Sequence, residues 1–311
     1  MILINDEVYY KDYKKCLELL KQIDDSKFEY PEETTNFHIY SEIKTEKELL
    51  CVKSWIATQN LDKCSLTIWS DYDISNNELL KPFLKYINLK VYNPQIESKD
   101  TILEEKIEHL KAHDSKYWLK SDLFRILITH KYGGIFSDMD IVYLRDFKSI
   151  LDQEFVYQWG SETDFINQGS CATFLSTFKN SDFSNHLMKE LLNSPIVPNT
   201  TQWGKELLGR IYSHYKFTIF PSAFFNIEWQ MNASWDDEDR KIYNPDGFGT
   251  KCESGWFVQN EYSGNLFLET FAWHWHNSSY KNTPVMSGSK FDLLSKYIDS
   301  KLLEKNLYEK D

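Results

Sequence analysis

The chain reads as an α/β protein built on an open, mixed but mainly parallel β-sheet flanked by helices. Three observations lead there. From Asn36 onward short strand patterns alternate with helical ones, the β-α-β order that covers both faces of a parallel sheet. Two carboxylates, Asp138 and Asp140, stand two apart in a strand pattern just after a Gly133-Gly134 turn. Hydrophobic residues make up 41% of the 311 and aromatic residues 16%, ample for a buried core and against disorder.

The elements follow in order. From Asp12 to Ile23, Tyr13, Cys16, Leu17 and Leu20 fall at helical spacing, which predicts an N-terminal helix. A polar, Pro-containing break runs on through Thr35. Phe37-His38-Ile39-Tyr40 predicts a strand. Glu46 to Gln59 predicts a helix, with Leu49, Leu50, Val52, Trp55 and Ile56 as its apolar positions. Ser65 to Trp69 predicts a second strand, ending at Ser70-Asp71. Lys116 to Tyr132 predicts a further helix, stopped by Gly133-Gly134, and Ile135 to Leu144 the next strand. Beyond Ile150 the pattern is less regular and richer in Trp, Asn and Gly, as pocket-building segments are. The sequence holds no repeat, low-complexity tract or linker.

Composition narrows the function classes. A net charge of −12 argues against a nucleic-acid backbone as partner. An acidic enzyme acting on an anionic substrate needs local positive charge, from a cation or a well-placed Arg. The five Cys (Cys16, Cys51, Cys64, Cys171, Cys252) are scattered and form no C-x-x-C pair, which suits free thiols in a reducing compartment. No apolar run approaches the ~18 residues of a spanning helix, and the start of the chain lacks a signal-peptide core. N-x-[ST] sequons occur at Asn199, Asn232 and Asn277. A cytoplasmic protein with no transmembrane segment is expected.

The most informative segment is SDLFRILITHKYGGIFSDMDIVYL, residues 121–144. On a continuous strand, alternate side chains share a face, so Phe136, Asp138, Asp140 and Val142 are expected together. Two carboxylates on one face repel unless a cation lies between them, and hard oxygen ligands suit Mg²⁺ or Mn²⁺ shared with substrate phosphates. Gly133-Gly134 removes side chains at the helix-to-strand turn and allows close backbone approach. On the preceding helix Asp122 and Arg125 are three apart and lie on one face. They suit either a surface ion pair or a clamp on ribose and sugar. D-x-D alone is a short pattern; S-D-x-x-R followed by G-G-x-x-x-D-x-D is far more specific.

These residues resemble the sugar-binding D-x-D region of retaining glycosyltransferases, a group that includes α-1,4-galactosyltransferases, yeast initiating α-1,6-mannosyltransferases and the glucosylating domains of large bacterial toxins. The resemblance spans about residues 36–280. His38-Ile39-Tyr40 is similar to the family's first strand, Val52 to Trp55 and Leu66 to Trp69 to its next helix and strand. Asn167-Gln168-Gly169, Trp203-Gly204 and the stretch from Phe220 to Phe225 fall where the galactosyltransferases have comparable pieces. The tail from Ala272 to Ser279 resembles their closing segment, with His276 replacing a Trp. Phe136 stands where the family usually has Tyr, so a hydroxyl contact to the donor is expected to be missing.

The resemblance implies a GT-A type fold and transfer of a hexose from a nucleotide-sugar donor (UDP- or GDP-hexose) with anomeric configuration kept. The acceptor would be a carbohydrate, glycolipid or protein hydroxyl. It implies Mn²⁺ or Mg²⁺ on Asp138, Asp140 and His274, with Asp138, Asp140 and Arg125 as the catalytic set. Donor contacts would come from Ile39, Tyr40, Ser121, Asp122, Arg125, Asn277 and Ser278, and acceptor contacts from Asn167, Gln168 and Trp203. His274 has a second reading as a residue packed among Phe271, Trp273 and Trp275, and His276 is the alternative ligand if the register is off by two. Trp203 suits a sugar platform or a core position. The acidic run from Trp235 to Asp239 reads as a solvated surface rather than a second metal site. The expected organisation is an N-terminal helical segment (1–35), a nucleotide-sugar-binding half (36–150) and an acceptor-side half with a closing tail (151–311), in one compact domain. Rival functions are a metal-dependent nucleotide-sugar hydrolase or nucleotidyltransferase, and a catalytically silent sugar-binding protein.

Overall fold

The computed structural model describes residues 13–25, 28–111, 117–158, 171–196, 202–225 and 270–307. Its centre is a seven-stranded sheet in the order β3-β2-β1-β4-β7-β6-β8. The strands are β1 (Thr35–Tyr40), β2 (Cys64–Ser70), β3 (Ile87–Val91), β4 (Gly134–Ser137), β6 (Phe155–Tyr157), β7 (Cys171–Thr177) and β8 (Thr218–Phe220). All pair in parallel except β7, which runs antiparallel between β4 and β6. This is the mixed, mainly parallel sheet flanked by helices that the sequence predicts.

Alternation along each strand builds two cores, one on each face of the sheet. Phe37 and Ile39 of β1, Ile135 of β4 and Phe174 of β7 enter one core. It is covered by α1 (Tyr13–Asp25), α2 (Glu46–Thr58) and a C-terminal helix, α9 (Lys290–Glu304), that the sequence reading did not place. Tyr40, Phe136 and Leu175 enter the other, under α5 (Tyr117–Tyr132), α6 (Asp182–Asn193) and α7 (Lys205–Tyr212). The short helices α3 (Pro94–Glu97), α4 (Ile107–Lys111) and α8 (Asn277–Tyr280) are the other α-helices among the described residues. Helix α2 begins at a capping box in which Thr45 and Glu48 satisfy each other's backbone N–H groups. Helix α9 is fastened along α2 by a Lys53–Asp299 ion pair and by Lys305 Nζ, which donates to the Ala57 carbonyl at 2.7 Å.

Two expectations are corrected. The continuous strand from Ile135 to Leu144 is broken: β4 ends at Ser137, residues 139–140 form a turn, and the chain re-enters extended structure as β5 (Ile141–Tyr143). β5 belongs to a separate two-stranded sheet with β9 (Ala272–His274). Phe136 and Val142 therefore face opposite cores rather than sharing a face with the two carboxylates. The second concerns Trp203, which is 1% exposed in the α5–α7 core, its indole N–H donating to the Pro195 carbonyl at 3.2 Å. It is a core side chain and offers no open face to a sugar.

The Gly133-Gly134 turn joins α5 to β4 with both residues at positive φ, +67° and +97°. A β-carbon on Gly134 would lie 2.1 Å from the Asn36 carbonyl oxygen of β1. His38 secures the same junction from β1: it accepts from the Trp69 indole on Nδ1 at 3.3 Å, so its Nε2–H donates to the Gly133 carbonyl at 3.1 Å. Burial, reinforced by Lys90 and only partly offset by the Gly133 bond, pushes the His38 imidazole down to about 4.

Gly134→Ala is expected to cost about 3 kcal/mol or more, because backbone rather than a flexible side chain blocks the new methyl; urea denaturation measures it, and a loss below ~1 kcal/mol would contradict the packing. His38 has a lower pKa folded (about 4) than unfolded (6.5). Its stabilising contribution is complete above the unfolded value and is lost as pH falls through the folded one. His38→Gln should therefore reduce the slope of stability against pH between roughly pH 6.5 and 4 by up to about one proton; an unchanged slope would show that this imidazole is not held neutral.

Candidate active site around Asp138 and Asp140

Asp138 and Asp140 occupy the turn where the chain leaves the carboxyl end of β4 and crosses to β5. Ligands of open α/β sheets bind at this end of the strands. Antiparallel pairing of β5 with β9 sets Ile141 opposite His274, which brings a residue 134 positions away beside Asp140. His274 Nε2 lies 3.2 Å from Asp140 Oδ2, and the same oxygen accepts the Asn277 backbone N–H at 2.7 Å. The Trp275 N–H donates to the Asp140 carbonyl at 3.0 Å, so both the main chain and the side chain of Asp140 are held from the tail.

From the other side α5 presents Arg125. Its Nη2 lies 3.0 Å from Asp122 Oδ1, 3.5 Å from Asp138 Oδ1 and 3.5 Å from the Ser121 hydroxyl. The guanidinium also rests 4.8 Å from the centre of the Phe136 ring, a cation–π contact. Phe136, expected to lack a donor contact, is buried and serves as the floor under Arg125. Asp122, Arg125, Asp140 and His274 are buried, whereas the Asp138 side chain is 28% exposed.

Burial sets the electrostatics, and charges modify it. Burial raises the Asp122 carboxyl to about 6, with Asp138 adding to the rise and Arg125 opposing it. Burial alone would also raise Asp140, but the His274 charge, its hydrogen bond and the Asn277 N–H outweigh it and hold the carboxyl low. The reverse holds for His274: burial would lower it, and Asp140 with Asp138 keep it above the ordinary imidazole value. His276, at left-handed φ +54°, lies against His274 with ring centres 3.9 Å apart and the rings tilted by 31°; burial and then the His274 charge depress it.

The remaining predicted residues divide. The Ile39 side chain is wholly buried and can meet a donor only through its main chain. Tyr40 stacks on Phe124 with centres 5.0 Å apart, and its hydroxyl donates to Asp71, which also pairs with Lys120 at 2.6 Å. Asn167, Gln168 and the acidic run at 235–239 lie outside the described residues, as do the side chains of Ser278, Cys171 and Cys252. Cys16, Cys51 and Cys64 are buried and not in disulfides. Two contributors escaped the sequence reading. Tyr157 on β6 places its hydroxyl 3.2 Å from His274 Nδ1, and the Cys51 thiol on α2 lies 3.9 Å from the Asp138 carbonyl. Neither sits in a local pattern with Asp138 or His274, so only tertiary structure reveals them.

Two carboxylates and an imidazole form a donor set that suits a hard or borderline divalent cation. Among the described residues, no three His, Cys, Asp or Glu side chains are already gathered as a ligand cage; Asp140 and His274 face each other while Asp138 is turned to Arg125. Among these residues no helix is long and apolar enough to cross a membrane.

No curated protein sequence matches the chain. Among solved structures it is similar to PaToxG glycosyltransferase, with 18% identity, 67% of this chain and 80% of that one covered and a TM-score of 0.43. It is also similar to the apo-form glycosyltransferase GlyE of Streptococcus pneumoniae TIGR4, at 9% identity and a TM-score of 0.48, covering 89% of this chain and 64% of GlyE, under two thirds of that protein. LgtC aligns at 9% identity over 85% of this chain and 96% of its own, with a TM-score of 0.45. Residues 45–157 match the family described as glycosyltransferase sugar-binding region containing DXD motif. That stretch, which is similar to the family's sugar-binding region, holds Asp122, Arg125, Asp138 and Asp140.

Proposed function

We propose that the chain transfers a hexose from a nucleoside-diphosphate sugar to an acceptor hydroxyl with retention at the anomeric carbon, aided by Mn²⁺ or Mg²⁺. The observation that carries this reading is the meeting of Asp140 with His274, and of Arg125 with both Asp122 and Asp138, at the carboxyl end of the sheet. Asp138, Asp140 and His274 would hold the cation, which when bound supplies Lewis-acid stabilisation of the departing diphosphate. Arg125, fixed over Phe136, would hold the donor while Asp122 accepts hydroxyls of its sugar. Ser121, Tyr40, the Ile39 main chain, Asn277 and Ser278 complete the donor contacts in this reading, and Asn167 and Gln168 the acceptor side. Attack from the donor's front face, the leaving phosphate taking the acceptor proton, is the step that the family resemblance implies. Buried cysteines not paired in disulfides accord with a reducing, cytoplasmic setting.

A panel of UDP- and GDP-hexoses with simple sugar acceptors tests this, following nucleoside diphosphate and glycoside together. Release should stop in chelator, return with Mn²⁺, and fall by about 100-fold or more in Asp140→Asn. Arg125→Lys should be strongly impaired, since an ammonium cannot copy the planar guanidinium. Full turnover in chelator would remove the cation from the mechanism. Free sugar as the sole product would mark a hydrolase.

A further inference from the structure

The Tyr157 hydroxyl is buried, comes from β6 on the main sheet, and points at the imidazole edge of His274 opposite Asp140. We infer that Tyr157 is a positioning residue for His274, fixing the ring and accepting its Nδ1–H so that the Nε2 lone pair is offered to a divalent cation. This rests on the reading of His274 as a ligand, and it goes beyond it by assigning a residue that belongs to none of the metal, donor or acceptor sets proposed above.

The argument is one of hydrogen-bond accounting. Without a cation, Nε2 faces the Asp140 carboxylate, an acceptor only, so that nitrogen carries a proton. A cation on Nε2 needs a lone pair there, so the ring's remaining proton must sit on Nδ1. That N–H is buried, and among the described residues Tyr157 Oη is its hydrogen-bond partner, at 3.2 Å. A hydroxyl can donate to an unprotonated Nδ1 or accept from a protonated one, so a single group serves the ring in either state. Removing it leaves the cation-binding tautomer with an unsatisfied buried N–H and leaves the other form less affected. Outer partners of ligating imidazoles act this way, and their loss typically weakens metal binding 10–100-fold. The ring of Tyr157 is itself fixed by Phe174 and Phe225, with centres 6.2 and 5.2 Å away. Replacement by Phe therefore removes the oxygen and keeps the packing.

The test is Mn²⁺ binding by calorimetry to the full chain carrying Tyr157→Phe, His274→Ala or both, with melting temperatures of the metal-free proteins. Tyr157→Phe should bind Mn²⁺ about 10–100-fold more weakly than wild type with its melting temperature nearly unchanged. It should add nothing in the His274→Ala background, because the two act as a unit. Wild-type affinity in Tyr157→Phe would overturn the inference and leave the ligand reading standing. The same loss in both backgrounds would show that Tyr157 acts elsewhere and would also overturn it. Wild-type affinity in His274→Ala, or no Mn²⁺ binding by the unmodified chain, would remove the ligand reading and the inference with it. A measurement needing no variant is the ¹⁵N spectrum of His274 with Mg²⁺ bound: a proton on Nδ1 supports the assignment, and a proton on Nε2 refutes it.

Discussion

Where α5 hands the chain to β4, the backbone of Gly134 passes against the Asn36 carbonyl, at a clearance that exists only without a β-carbon, and the layout of the site follows from that approach. It lets β4 lie in register beside β1, Phe37 opposite Ile135 and His38 opposite Phe136. The carboxylate turn is thereby delivered just beyond Ser137. The same turn sets the end of α5, and hence the height at which Ser121, Asp122 and Arg125 project. His38 stitches the junction with two hydrogen bonds made by one neutral ring.

Around that turn acid outnumbers base. Asp122, Asp138 and Asp140 are met by one guanidinium and one imidazole. Arg125 is divided between two carboxylates and supported by an aromatic face, an arrangement in which its charge is held rather than spent on a single partner. Asp122 shows the strain of this sharing: its carboxyl is raised to about 6 even with Arg125 at 3.0 Å, because burial outweighs the attraction. Asp140 escapes the same fate through the tail, which gives it both an imidazole and a backbone N–H.

Much of this was legible in the sequence where patterns are long. The predicted helix from Glu46 to Gln59 lies one residue from α2, and that from Lys116 to Tyr132 one residue from α5. The expected runs Phe37–Tyr40 and Ser65–Trp69 fall within β1 and β2, each of which extends one or two residues further, since apolar, β-prone runs bounded by polar residues mark strands. The run from Ile135 to Leu144 misled because two short strands in different sheets, joined by a tight turn, have the same apolar content as one. β6, β8 and β9 are three residues each, too short to show a period, and they are buried on both faces, so the region after Ile150 looked irregular. Trp203 was undecidable by composition, as an indole suits a sugar and a core equally. The pairing of His274 with Asp140 came from resemblance alone; no spacing rule links positions so far apart.

That distance has a temporal meaning. Asp140 and His274 are 134 residues apart, and the strand carrying the histidine pairs with β5 only after the intervening chain has looped through β6, β7 and β8. Contacts of such separation close late, because the loop must be ordered before they contribute. A growing chain would acquire its carboxylates and Arg125 early, along with most of the sheet, yet would lack the imidazole and the Asn277 N–H until more than 130 further residues had been made. The site is therefore closed after the sheet that carries it, and its completion reports that β9 has paired with β5.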